Sequence, residues 1–313
     1  MNTTSEGNET KRLLVLLDHS ERALRTLEYL ASVRPFQAAS IVLHHVYSEL
    51  PEYYWDMAVG TNNTSALEEV RTIWKEKMDE TFRFMQDAKS FLVSSGFQSS
   101  QVEVQTHKWQ SGIARDILEE SARGYDAVVL RRRGGSRLQE IILGSVSNKL
   151  LSKLKNTPII LAGTRQHTRK VLIAMDESSS AASAVNFTGR QLGGYDYSIE
   201  LFHVIRGIDT LNPHDPGYIP PELFENVHES IESRFDSVRE TLLAAGIPKK
   251  RISGKIVTGA GSRAEAIVAE ARAGGFGTIV MGRQGVSRVE DFFMGRVCNK
   301  VIHMGREFTI WIV

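Results

Sequence analysis

The stretch RRRGGSRLQEIILGSVSNKLL at residues 131–151 recurs without a gap as GRQGVSRVEDFFMGRVCNKVI at residues 282–302. Eight of the 21 positions are identical, and most of the others are similar. The two stretches lie about 150 residues apart, which is the size of a domain. The chain of 313 residues therefore consists of a duplicated domain and not of a solenoid of short repeats.

The beginning of each copy repeats as well. Arg12-Leu-Leu-Val-Leu-Leu-Asp18 and Lys170-Val-Leu-Ile-Ala-Met-Asp176 are apolar runs that end in an acid and precede a helical pattern. Further solidly apolar runs alternate with helical patterns, which is typical of a parallel sheet covered by helices on both faces. The sequence predicts a Rossmann-like α/β fold of two tandem five-stranded parallel-sheet sandwiches, with domains at residues 1–165 and 166–313.

Composition argues against several classes of function. The net charge of +1 provides no global field for nucleic acid or a membrane surface. Cys298 is the single cysteine, so an intramolecular disulfide is impossible and a reducing compartment fits. Residues 1–10 lack the basic start and apolar run of a signal peptide, and no stretch approaches the ~18 apolar residues of a membrane span. We therefore expect a cytoplasmic protein without nucleic-acid or membrane partners.

Glycines mark a candidate binding corner after the fourth strand of each copy. Copy two has Gly282 and Gly285, then nine residues, then Gly295; Gly134 and Gly144 have the same spacing in copy one. Glycine permits positive φ and lets the backbone approach a phosphate without a Cβ. A helix that begins just beyond the last glycine presents free N–H groups to an anion. The pattern indicates an anion site; alternatively, the glycines only shape a strand-to-helix loop.

These features resemble the universal stress protein family, whose nucleotide-binding members carry Gly, two residues, Gly, nine residues, Gly and then Ser or Thr. The resemblance covers residues 11–163 and 169–313 and implies an adenine nucleotide alpha hydrolase-like fold and a role in stress response. It also implies ATP or another adenine nucleotide as ligand, with no metal beyond the accompanying Mg²⁺. The implied nucleotide contacts are Asp176, Val204, Met281, Gly282, Gly285, Gly295, Arg296 and Val297 in copy two, and Asp18, Val46, Leu130, Gly134, Gly144, Ser145 and Val146 in copy one.

Both copies depart from the family pattern. In copy one Arg131 stands where the first glycine belongs, and its side chain can block a close approach of the backbone. In copy two Arg296 replaces the hydroxyl residue, and an arginine can either bind phosphate by charge or fill the site. Copy two is the favoured site because it keeps both turn glycines, Gly282 and Gly285.

Three functions fit these observations. The first is a nucleotide-responsive stress protein, whose hydrolysis of ATP is at most slow because no catalytic base is evident. The second is a scaffold of the same fold that acts through protein contacts without nucleotide. The third, an enzyme of the wider nucleotide-binding group, requires a phosphate loop near strand one, which Asp18-His-Ser-Glu21 and Asp176-Glu-Ser-Ser179 do not resemble.

The apolar fifth strands predict how the copies pack. Pro158-Ile-Ile-Leu-Ala162 and Phe308-Thr-Ile-Trp-Ile-Val313 would be exposed edges unless paired, and exposed apolar edges promote aggregation. Members of the family that this chain resembles pair their domains through this strand. We therefore predict an internal pseudo-dimer through the two fifth strands. The sequence leaves open whether whole chains pair further into a homodimer.

Overall fold

A single ten-stranded sheet runs through the computed structural model, which describes residues 10–18, 20, 23–47, 64–132, 145–206, 221–285 and 294–313. The order across the sheet is β3-β2-β1-β4-β5-β10-β9-β6-β7-β8. The strands are β1 (Arg12–Leu16), β2 (Ser40–Tyr47), β3 (Val102–Lys108), β4 (Ala127–Arg131), β5 (Ile159–Ala162), β6 (Lys170–Met175), β7 (Ser198–Arg206), β8 (Ile252–Ala260), β9 (Thr278–Met281) and β10 (Thr309–Ile312). Each half therefore has five strands in the same order.

Within each half the strands are parallel, and β5 pairs with β10 in the antiparallel direction. The predicted α/β architecture and the pseudo-dimer through the fifth strands are confirmed. The antiparallel pair merges the two five-stranded sheets into one, because each half offers its fifth strand as an edge and pairing satisfies the backbone groups of both.

Helices cover both faces of this sheet. They are α1 (Leu24–Ser32), α2 (Thr64–Ser94), α3 (Ile113–Ser121), α4 (Ser145–Lys153), α5 (Ser179–Leu192), α6 (Pro221–Ala244), α7 (Arg263–Ala273) and α8 (Arg296–Met304). In the described part of the chain, no helix is long and apolar enough to span a bilayer.

Each half places its helices on the two faces in the same way. The first two helices of each half, α1 with α2 and α5 with α6, pack on one face of the sheet. The last two helices of each half, α3 with α4 and α7 with α8, pack on the other. Leu13 and Val15 of β1 enter the first core and Leu14 enters the second, since successive strand residues point to opposite faces. Apolar runs without polar alternation follow from a sheet covered on both sides.

Aromatic side chains join the two halves at the centre of the sheet. Trp311 of β10 is 1% exposed, and its indole Nε1 donates a hydrogen bond to the Tyr29 hydroxyl at 2.9 Å. Its ring stacks on Phe36 at 6.1 Å and meets Phe187 edge-on at 5.5 Å between centroids. Tyr29 and Phe36 come from the first half and Phe187 from the second, so one core continues across the junction.

Two histidines, His44 and the half-buried His167, link stability to pH. His44 on β2 is 1% exposed and neither ring nitrogen has a hydrogen-bond partner. Burial, reinforced by the nearby His107, lowers the pKa of His44 to about 4. His167 lies between Tyr29 and Tyr197, and burial lowers its pKa to about 4 as well. Both imidazoles are therefore neutral in the folded chain at neutral pH.

Acidification is expected to destabilise the protein before its carboxylates titrate. The pKa of His44 in the folded chain lies below the ordinary value of 6.5, so the unfolded chain binds a proton first. The contribution of neutral His44 to stability is complete well above pH 6.5 and is lost as pH falls towards 4, with a loss of about 1.6 kcal/mol between pH 6.5 and 5. Urea unfolding across this range should show a flatter profile for His44→Leu, whereas His228→Asn, which leaves His44 and His167 in place, should follow the wild type. An unchanged slope in His44→Leu would contradict the assignment.

Candidate functional site

The candidate corner of copy two lies at the carboxyl ends of β6, β7 and β9. The chain runs outward from β6 to β8 and then returns to β9, so the strand order reverses between β6 and β9. Parallel α/β sheets bind ligands at such a switch point. A cleft of about 810 Å³ opens there. It is lined by all eight copy-two residues that the sequence singled out: Asp176, Val204, Met281, Gly282, Gly285, Gly295, Arg296 and Val297.

Asp176 is held in place by the start of α5. Its Oδ1 accepts hydrogen bonds from the backbone N–H of Ser178 at 3.0 Å and from the Ser178 hydroxyl. The same hydroxyl oxygen accepts from the N–H of Ala181 and so caps the helix. The other carboxylate oxygen would lie 2.8 Å from a Cβ at Gly285, so the acid sits directly over the glycine turn.

The glycines serve close contacts and not unusual backbone angles. A Cβ at Gly282 would lie 2.6 Å from the Cβ of Ser180 and 2.8 Å from its carbonyl carbon, so this glycine lets β9 pack against the start of α5. Gly295 has a φ of −62° and donates its N–H to the Arg283 carbonyl at 2.8 Å. Positive φ occurs at other described glycines but not at Gly282, Gly285 or Gly295. Of the two uses of glycine, positive φ therefore does not apply at these three positions.

Helix α8 begins at the cleft without a side-chain cap. Gly295 occupies the cap position, and the first bond of the helix runs from the N–H of Asn299 to the Gly295 carbonyl at 3.0 Å. The N–H groups of the preceding turn have no carbonyl of their own helix to bind. Arg296, the first residue of α8, is exposed, so its side chain does not plug the cleft. This helix end therefore offers both N–H donors and a cation to an anion.

The charge of the cleft is predominantly positive. Its lining contains five cationic residues against two acidic ones, Asp176 and Glu177. Glu177 is 3.4 Å from Arg234, so that carboxylate is already paired. The cationic residues are Arg206, Arg263, Arg296, Lys300 and Arg283, and of these the Arg283 guanidinium is bound to carbonyls of the first half. An excess of positive charge beside a helix N-terminus favours an anionic ligand.

An apolar wall faces these charges. Val204, Ile267 and Met281 are each 4% exposed and line the cleft together with Phe202. Arg263, at the start of α7, donates from Nε to the Val204 carbonyl at 3.3 Å. Sequence reasoning missed Arg263 and Ile267, although both lie on the helix that follows β8 and therefore start from the same edge of the sheet. A flat apolar group and an anionic group can thus be accommodated side by side.

The corner of copy one is occupied by its own cation. Arg131 Nη1 donates to the Ser20 hydroxyl at 3.2 Å and lies 4.0 Å from Asp18 Oδ1. Its Nε donates to the Arg132 carbonyl at 2.9 Å. The side chain thus spans from the end of β4 to the acid after β1, in the position where copy two has only Gly282. This arrangement agrees with the expectation that Arg131 hinders a close backbone approach.

The other copy-one residues are only partly defined. Val46 and Leu130 are buried at the ends of β2 and β4, and Ser145 and Val146 form the first turn of α4. Gly134 and Gly144 lie outside the described residues. No group of three His, Cys, Asp or Glu side chains that could hold a metal ion occurs among the residues whose positions are described.

The structure describes a tandem α/β protein with a cleft at a switch point of its sheet, and comparison with known proteins shows the family. The sequence model of the universal stress protein family matches residues 9–160 and again residues 167–305. The chain therefore belongs to the universal stress protein family and carries two copies of its domain in tandem. The universal stress protein MJ0577 of Methanocaldococcus jannaschii is 27% identical over a match 160 residues long, which covers 48% of this chain and 93% of that protein.

Solved structures share the tandem fold. A universal stress protein from Archaeoglobus fulgidus aligns with a TM-score of 0.63 and 20% identity, covering 97% of this chain and 98% of that chain. The functionally unknown protein PA1789 from Pseudomonas aeruginosa aligns with a TM-score of 0.54 and 14% identity, covering 98% and 93%. At these identities the likeness establishes the fold alone.

Proposed function

We propose that this universal stress protein binds ATP or another adenine nucleotide in the cleft of copy two, as a regulatory ligand in the stress response. The observation that carries the proposal is the cleft itself, which combines an apolar wall, an acid and a cation-rich helix N-terminus within about 810 Å³. Val204 and Met281 would contact the base, and Asp176 would accept hydrogen bonds from the ribose hydroxyls. The phosphates would lie at Gly285 and at the first turn of α8.

Arg296 supports this proposal although it departs from the family pattern. It replaces a hydroxyl donor by an exposed positive charge at the start of α8. A guanidinium can bind two phosphate oxygens at once, which a hydroxyl cannot. The substitution therefore exchanges one short-range donor for a longer-range electrostatic attraction.

Copy one is proposed to have a different role. Its corner contains the Arg131 side chain, which lies close to Asp18 and Ser20 at the position where copy two has Gly282. This observation favours copy one as a structural half or protein-contact half of the molecule. The alternative function, a scaffold without nucleotide, applies to copy one on this ground and to the whole chain if copy two also fails to bind.

Two measurements test the proposal on the full chain. Protein purified without added nucleotide is denatured and the released small molecules are identified; calorimetry with ATP and Mg²⁺ then gives the affinity and the stoichiometry. We expect one ATP per chain, with CTP, the matched control for phosphate binding alone, bound more weakly. Absence of nucleotide in both measurements would favour the scaffold, and two ATP per chain would contradict the role assigned to Arg131. Turnover of many ATP per second would instead indicate an enzyme.

A further inference from the structure

Two equivalent arginines exchange contacts across the pseudo-dimer. Arg132 and Arg283 hold the same position in the repeated stretch, directly after the first residue of each corner. Arg132 Nη1 donates to the carbonyls of Ile302 at 2.7 Å and Gly305 at 3.1 Å, at the C-terminal end of α8 in the other half. Arg283 Nη1 donates to the Leu151 carbonyl at 3.0 Å, in the last turn of α4 in the first half. Each corner therefore holds the helix of the opposite corner.

The backbone of Arg283 ties this exchange to the cleft. Its N–H donates to the Val313 carbonyl at 2.7 Å, and its own carbonyl accepts from Gly295 at 2.8 Å. Its Nη2 also lies 3.4 Å from the Thr157 carbonyl. Helix α8 is thus fixed at its cap residue, Gly295, by the corner of copy two and at its last turn by Arg132 from the corner of copy one.

Charge and burial make Arg132 a strong anchor. Its residue is 6% exposed, and no carboxylate pairs with it among the described residues. Burial lowers its pKa to about 10, so the guanidinium is still charged at neutral pH. A cation at a helix C-terminus satisfies carbonyls that lack a helix partner and complements the negative end of the helix dipole.

We propose that Arg132, supplied by copy one, is a positioning residue for the ligand site of copy two. It anchors the C-terminal end of α8 and so fixes the axial position of the same helix whose first turn lines the cleft. Copy one, whose own corner contains the Arg131 side chain, then stabilises the position of α8, the helix at which the phosphates are proposed to bind in copy two. The identity of the ligand in this inference rests on the proposed nucleotide function. The anchoring of α8 rests only on the contacts of Arg132.

The test compares Arg132→Met with Arg272→Met in the full-length protein. Arg272 is the matched control, because its Nη2 donates to the Met304 carbonyl at the same helix end, but from the same half and from an exposed position. Calorimetry gives the ATP affinity, and hydrogen exchange without nucleotide gives the protection of the α8 amides, including Asn299. We expect Arg132→Met to weaken ATP binding about tenfold and to speed exchange in α8, with Arg272→Met within about twofold of the wild type for both. We expect Arg132→Lys, which keeps a cation at the carbonyls, to recover part of both effects.

The two readouts separate this inference from the proposed function. If the wild type binds no ATP, the nucleotide proposal fails, and exchange of the α8 amides alone decides the role of Arg132. The inference would be overturned if the α8 amides of Arg132→Met exchanged at the wild-type rate. It would also be overturned if Arg132→Met and Arg272→Met lost protection and ATP affinity equally. If Arg132→Met does not fold, Arg132→Gln, which keeps one donor for these carbonyls, takes its place. Wild-type affinity and exchange in that variant would overturn the inference in the same way.

Discussion

Deleting residues 308–313 is expected to abolish the cooperative folding of both halves. All four residues of β10 are at most 2% exposed, and the strand lies between β9 and β5 at the centre of the sheet. Its removal leaves two buried strand edges without partners, and unpaired buried backbone groups each cost free energy comparable to a lost hydrogen bond. It also removes Trp311, which contacts Tyr29 and Phe36 of the other half.

Circular dichroism during heating measures this effect. We expect no cooperative transition, or aggregation during purification, for the shortened chain. The matched control is a chain that lacks only Val313. This variant keeps all of β10 but loses the acceptor for the Arg283 N–H, so we expect it to unfold cooperatively at a somewhat lower temperature than the wild type. Melting of the six-residue deletion at the wild-type temperature would show that the fifth strand does not hold the halves together.

Replacing Gly295 by glutamate is expected to weaken ATP binding about 100-fold, which is roughly 2.7 kcal/mol. The nearest atoms to a Cβ at Gly295 are 3.4 Å away and its φ is −62°, so a side chain can be accommodated with small adjustments. The carboxylate then lies at the first turn of α8, where the phosphates are proposed to bind. Two like charges about 4 Å apart near a protein surface repel by several kcal/mol.

Calorimetry on Gly295→Glu and on Gly295→Ala tests this prediction. The alanine variant makes the same backbone change without charge and should stay within about threefold of the wild-type affinity. Gly282→Glu is a poorer test, because its Cβ would collide with the backbone of Ser180 and destabilise the fold as well. Wild-type affinity in Gly295→Glu would mean that the phosphates bind elsewhere.

The sequence predicts the sheet better than it predicts the contacts of the corner. Apolar runs such as Ile41-Val-Leu43 are typical of a parallel sheet that is covered on both faces, so they predict the α/β architecture. The glycine spacing also predicts that Gly285 and Gly295 lie at one cleft, because both residues flank a strand-to-helix connection at the carboxyl edge of the sheet. The role of Gly282 could not be predicted in this way. Its close contact is with Ser180, which is distant in sequence, and nothing in the repeated stretch identifies Ser180 as its neighbour.

The arginine contacts between the halves, unlike the pairing of the fifth strands, had no sequence signal. Arg132 binds the carbonyl of Ile302, 170 residues away, and Arg283 binds that of Leu151, 132 residues away. Every residue carries a carbonyl, so the acceptor leaves no trace in the sequence. Likewise, the cationic residues that line the cleft come from β7, α7, α8 and the loop after β9, and they meet only after folding.

The antiparallel pair of β5 and β10 has a consequence for how the two halves can evolve. Two separate chains that pair through identical edges must carry the same mutation on both sides, so neither site can change without the other. Joining both edges within one polypeptide removes this constraint and fixes the ratio of the two halves at one to one. The same duplication can then keep an open cleft on one side and an arginine-filled corner on the other, a division of labour that a symmetric assembly of identical subunits does not permit.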